Sequence, residues 1–104
     1  KAGLNVLVLD MDSQQSTTQW AERRKEALPV VRFATEIDLP KLLSQAEEAG
    51  CDFVVIDTPP AITAAIRDVV KLADLVLIPT RPSPHDLRAV GSTVDIAQEA
   101  GRPF

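Results

Sequence analysis

Three carboxylates stand where they could hold a divalent cation. Asp57 closes the run Phe-Val-Val-Ile at residues 53–56, Asp10 closes Val-Leu-Val-Leu at residues 6–9, and Asp12 follows two positions on. A carboxylate ending a buried strand is placed to hold magnesium or its water shell, because that ion takes hard oxygen ligands and keeps several waters. Asp57 is thereby a candidate for the acid of a Walker B strand. Asp10 and Asp12 point the same way if strand geometry continues through them, and like charges on one side repel unless a cation, a donor or water intervenes. The plainer alternatives are a turn-starting or helix-capping Asp57 and solvated loop acids at 10 and 12. A third polar stretch, Pro79-Thr80-Arg81-Pro82-Ser83-Pro84, follows the apolar run at residues 75–78.

The elements that must position these groups alternate along the chain. Apolar runs at residues 6–9, at Val30, Val31 and Phe33, and at residues 53–56 and 75–78 read as strands covered by helices on both faces. Between them Leu39, Leu42, Leu43, Ala46 and Ala49 fall at helical spacing, with Asp38 as N-cap and Gly50 as stop. Leu87, Val90, Gly91, Val94 and Ala97 repeat that spacing before Gly101, opened by a capping box of Ser83, Pro84, His85 and Asp86. Ser16, Thr17, Thr18 and Gln19 offer a similar box for a helix carrying Trp20, and Ile62, Ile66, Val69, Val70 and Ala73 form a weaker helical pattern. The fold class this predicts is α/β, a parallel sheet with helices on both faces. In such sheets ligands bind beyond the carboxyl ends of the strands, where the acids and the proline-rich stretch lie.

Composition narrows the function. The 104 residues are 45% hydrophobic and 25% charged, as in globular domains, which excludes a disordered tail or a disulfide miniprotein. A net charge of -4 argues against nonspecific DNA binding by these residues themselves. Cys51 is the only cysteine, so no internal disulfide and no cysteine-rich metal site is expected, in keeping with a reducing cytoplasm. No apolar stretch is long enough to span a bilayer, and no membrane role is expected. The four glycines provide no GxxxxGK[ST] phosphate loop, so the 104 residues alone are expected not to hydrolyse a nucleotide.

The segment Gly3-Leu-Asn-Val-Leu-Val-Leu-Asp-Met-Asp-Ser-Gln-Gln-Ser resembles the G-x-x-V-L-x-x-D-x-D-P-Q-x-S stretch of the ParA/MinD-type partition ATPases, deviant-Walker P-loop proteins. Phe53-Val-Val-Ile-Asp-Thr-Pro-Pro resembles their Walker B strand and turn, and the stretch from Leu75 through Pro84 to Asp86-Leu87 resembles the strand and proline-rich loop beyond it. The motifs come in the family's order and cover nearly all of the chain.

The resemblance implies a P-loop NTPase-like fold and roles for individual residues. Asp12 matches the switch I acid that helps position magnesium and the attacking water, and Asp57 the Walker B acid that holds the magnesium water shell. Asp10 matches the acid ending the switch I strand. Pro79, Arg81 and Pro82 match the loop that borders the adenine of ATP. Ser13 stands where proline is usual, which loosens the turn and leaves both acids in place. In relatives a first strand, the P-loop and its helix come earlier, and further elements come later. Residues 1–104 are thus expected to form one partial domain, truncated at both ends, with the family's first strand belonging between the third and fourth apolar runs.

For the parent protein the resemblance implies an ATP hydrolase using ATP and Mg2+, switching as an ATP-dependent homodimer in plasmid or chromosome partitioning. A centromere-binding ParB-like partner would stimulate its slow hydrolysis. Nonspecific DNA contact would come through parts outside this chain, giving a cytoplasmic, nucleoid-associated protein. Two rivals come from other classes: a related ATP-dependent amidase or ligase such as a cobyrinic acid amidase or dethiobiotin synthetase, and a noncatalytic response-regulator-like domain. The Ser-Pro-x-Asp-Leu stretch at residues 83–87 argues for partition, and Thr80 and Arg81 stand where a response regulator offers lysine. His85 reads as a solvated first-turn residue, Cys51 as a half-buried structural thiol, and Trp20 with Arg23, Arg24 and Lys25 as an amphipathic helix with a packed aromatic and a solvated basic side.

Overall fold

The central strand, β1 (Val6–Asp10), is hydrogen-bonded on both sides, parallel to β2 (Val30–Phe33) on one and to β3 (Phe53–Asp57) on the other. The sheet order is β2-β1-β3. The computed structural model describes residues 3–24, 29–59, 64–80 and 82–104, with no side chains described at 85, 86, 88 and 89. These residues gather into two compact units, one within 1–60 and one within 61–104.

In the first unit the crossovers are helical, as parallel strands require. α1 (Ser16–Arg23) links β1 to β2, and α2 (Leu39–Glu48) links β2 to β3. Register sets β1 against β3 as Val6 with Phe53, Val8 with Val55 and Asp10 with Asp57. Side chains alternate across a sheet, so these six share one face. Leu9, Ala34, Leu39 and Ala46 are buried and make the apolar centre of this unit.

The helix ends follow their sequence signals closely on the carboxyl side. Gly50, at φ 77°, donates its N–H to Glu47 O at 3.1 Å while Cys51 donates to Ala46 O at 2.9 Å, the paired bonds of a Schellman turn. On the amino side the agreement is partial. Asp38 is the N-cap of α2 but makes no capping bond with its side chain, which instead accepts from the Thr35 hydroxyl at 2.9 Å. The capping box expected at Ser16–Gln19 is also absent. The N-cap is Gln15, in the left-handed region at φ 54°, with no side-chain cap.

Two expectations, one about the strands and one about α1, are corrected. Phe53, Val55, Val30 and Phe33 are 41–58% exposed, so the outer strands are not covered on both faces. β3 has β1 on one side and no strand on the other among the described residues, so its outer backbone groups gain no ladder there. Trp20, expected to pack, is 54% exposed; α1 has no buried residue, and the Trp20 ring instead carries the Arg24 guanidinium 4.5 Å from its centroid. Lys25 lies outside the described residues.

The second unit holds α3 (Ala64–Leu72) and α4 (Pro84–Glu99). Ile66, Val70 and Ile96 form its core, with Val76 and Ala100 packed against them. α4 also ends on a Schellman turn, with Gly101 at φ 67° and Arg102 N–H bonded to Ala97 O at 3.0 Å. The fourth apolar run, residues 75–78, is not a strand. Val76 N–H goes to Pro103 O at 2.9 Å, and Leu77 is 81% exposed. Strand propensity becomes a strand only where a neighbour completes the ladder, and among the described residues none does. The fold is thus α/β, a small parallel sheet with helices, compatible with part of a P-loop NTPase-like domain. No described helix is long and apolar enough to cross a membrane.

Candidate functional site

Asp10 and Asp57 are register partners at the carboxyl ends of adjacent parallel strands and share one face of the sheet. Adjacent strands lie about 4.8 Å apart, so two carboxylates placed this way repel unless donors separate them. The donors come from the first turn of α1. Thr18 gives Asp10 Oδ2 both its N–H, at 2.9 Å, and its hydroxyl, at 2.8 Å. Thr17 gives its hydroxyl to Asp57 Oδ2 at 2.5 Å. Consecutive threonines thus engage the two acids at the helix end whose dipole favours negative charge.

Asp10 is fully buried, and its other oxygen, Oδ1, accepts from Asp12 N–H at 3.1 Å. Burial pushes its carboxyl up, but the Thr18 N–H, the Thr18 hydroxyl and the Asp12 N–H together outweigh that and hold it below the usual 3.8. The carboxylate acts as the remote cap that α1 lacks locally: Thr18 is its third residue, and that N–H has no acceptor within the helix. Both oxygens of Asp10 are therefore engaged in holding the chain.

Asp12 sits in the tight loop between β1 and α1. Its Oδ1 accepts from Gln14 N–H at 3.0 Å and its carbonyl from Gln15 N–H at 2.9 Å, a turn built without proline at position 13. The loop is tied to β3 because Met11 N–H donates to Asp57 O at 2.9 Å. Asp12 Oδ2 and Asp57 Oδ1 have no hydrogen-bond partner among the described residues, and both side chains are half-buried.

This donor set suits magnesium. Two hard carboxylate oxygens remain open near one strand-end rim, and magnesium is usually held by one or two carboxylates with water and phosphate completing its shell. Among the described residues no three His, Cys, Asp or Glu side chains gather as a metal-holding group, so the three acids do not form a cage by themselves.

Pro79 and Pro82 are exposed in the stretch between α3 and α4, within the second unit, and Arg81 lies outside the described residues. The side chains of His85 and Asp86 are likewise outside them; Leu87 N–H bonds to Ser83 O at 3.0 Å, which places Ser83 at the N-cap. Cys51 is half-buried, with its thiol 3.0 Å from Phe53 O. Sequence reasoning missed Thr17 and Thr18 as partners of the acids, because a Ser-Thr-Thr cluster before a helix reads equally well as a local cap.

The ATPase MipZ family profile matches residues 31–100. The chain is 43% identical over 90 residues to maintenance of carboxysome distribution protein A of Gloeobacter kilaueensis, covering 86% of this chain and 41% of that protein. It is 31% identical over 97 residues to the protein of the same name from Halothiobacillus neapolitanus, 89% of this chain and 44% of that one. It is 28% identical over 99 residues to Protein ParA of Rhizobium radiobacter, 93% of this chain and 44% of that one. The chain spans less than half the length of each of these relatives. With a matching profile over most of its residues, the chain belongs to the MipZ family of ParA/MinD-type ATPases.

Proposed function

We propose that these residues supply the switch I and Walker B acids of an ATP hydrolase that works as an ATP-dependent homodimer to distribute a large cargo. The observation that carries this reading is the placement of Asp10, Asp12 and Asp57 at adjoining strand ends, with Asp12 and Asp57 each keeping one open carboxylate oxygen. Asp57 would face the water shell of Mg2+, and Asp12 would orient that ion and the attacking water. Asp10 would hold α1 and the loop in register. Magnesium, when bound with ATP, supplies neutralisation of the charge on the phosphate oxygens. Phosphoryl transfer needs positioning and charge neutralisation more than covalent help, which is the service that carboxylates on a rigid strand end can give.

Pro79, Arg81 and Pro82 are proposed as the border of the adenine site in the whole protein. Two relatives' names speak of carboxysome distribution, which suggests a large cargo of that kind, and a plasmid or chromosome belongs to the same class. A ParB-like partner would stimulate hydrolysis, DNA would be met through segments outside this chain, and the protein would work in the cytoplasm on the nucleoid. The test is Asp12→Ala in the full-length protein. ATP-dependent dimerisation, followed by sedimentation, should persist while the hydrolysis rate falls at least tenfold, about 1.4 kcal/mol of transition-state stabilisation. Unchanged hydrolysis would remove Asp12 from the mechanism.

A further inference from the structure

We propose that Thr17 is a positioning residue for the Walker B acid: its hydroxyl fixes one oxygen of Asp57 so that the other is presented to the metal's water shell. The proposal rests on the reading of Asp57 as the magnesium-facing acid and extends it to a residue forty positions away in the chain.

The geometry is specific. Thr17 Oγ1 lies 2.5 Å from Asp57 Oδ2, in the range of a strong charge-assisted bond. Asp57 Oδ1 has no partner among the described residues, so the hydroxyl selects which oxygen stays open. Thr17 is itself held in place, because Thr18 beside it is bound twice to the buried Asp10, the register partner of Asp57. The start of α1 is thus tied to both strands at once. A donor behind a metal-facing carboxylate sets its orientation and its affinity for the ion.

The experiment titrates binding of a fluorescent ATP analogue to the full-length protein with Mg2+, comparing wild type with Thr17→Val, Thr17→Ser and Asp57→Ala. Valine keeps the branched shape and removes the hydroxyl; serine keeps the hydroxyl. Thr17→Val should raise the half-saturating Mg2+ concentration about tenfold, and Thr17→Ser should stay within about twofold of wild type. Analogue binding without Mg2+ should be the same in wild type and both Thr17 variants. If Asp57→Ala shifts the Mg2+ midpoint and Thr17→Val does not, the positioning role is wrong and the role of Asp57 stands. A midpoint unmoved by Asp57→Ala overturns both. Binding weakened equally with and without Mg2+, or no recovery with serine, means that the hydroxyl only supports the fold, which also overturns the proposal. Should Thr17→Val not fold, Thr17→Ala carries the same comparison.

Discussion

Thr18 delivers both its backbone N–H and its hydroxyl to a single oxygen of Asp10, at 2.9 and 2.8 Å. The last residue of β1 thereby caps the helix that follows it, and the intervening loop, which holds Asp12, is pinned at both ends. Such a loop can present a carboxylate in one orientation without a proline at position 13.

Replacing Asp10 with alanine should therefore damage the fold before it touches chemistry. The change strands three buried or half-buried donors, the N–H groups of Asp12 and Thr18 and the Thr18 hydroxyl. Loss of charged acceptors of this kind costs about 3 kcal/mol, read as a lowered urea midpoint in the full-length protein. Asp12→Ala, by contrast, should cost less than about 1 kcal/mol and move that midpoint correspondingly less, because its side chain receives a single N–H bond.

Asp10 also sets a direction for the response to acid. Its folded-state carboxyl lies below 3.8, so folding favours the ionised form and the stability it contributes is complete above that value. As pH falls through 3.8 towards the lower folded value the contribution is lost. Unfolding free energies measured between about pH 5.5 and 3 should decline more steeply for wild type than for Asp10→Asn, which has no proton to take up. Parallel declines would show that Asp10 is not the group responsible.

Two glycines of similar openness should respond to alanine with opposite signs. At both Gly50 and Gly91 an added Cβ would meet nothing within 4 Å, so steric contact does not decide the outcome. Gly50 holds φ 77° in the turn that ends α2, where an L side chain costs about 1 kcal/mol. Gly91 lies inside α4, where alanine is favoured over glycine by about 1 kcal/mol. Thermal unfolding of the full-length protein should place Gly50→Ala below wild type and Gly91→Ala above it.

What could be read from the one-dimensional chain was whatever depends on neighbours in sequence. The apolar runs marked β1, β2 and β3, the leucine and alanine spacing marked α2, and Gly50 and Gly101 marked helix ends, because periodicity and a left-handed glycine are local properties. The acids after the runs, and the order of motifs that resembles the ParA/MinD-type ATPases, were legible for the same reason.

The tertiary structure alone decided the rest, since each of these features depends on residues far apart in sequence. The run at residues 75–78 has strand propensity but gains no ladder among the described residues. The Ser16–Gln19 cluster looked like a local cap, yet its threonines turn to acids eight and forty residues away, because parallel pairing of β1 with β3 sets Asp10 beside Asp57 directly under the start of α1. Which carboxylate oxygen is consumed and which stays open follows from that three-way meeting, and a linear pattern carries no record of it.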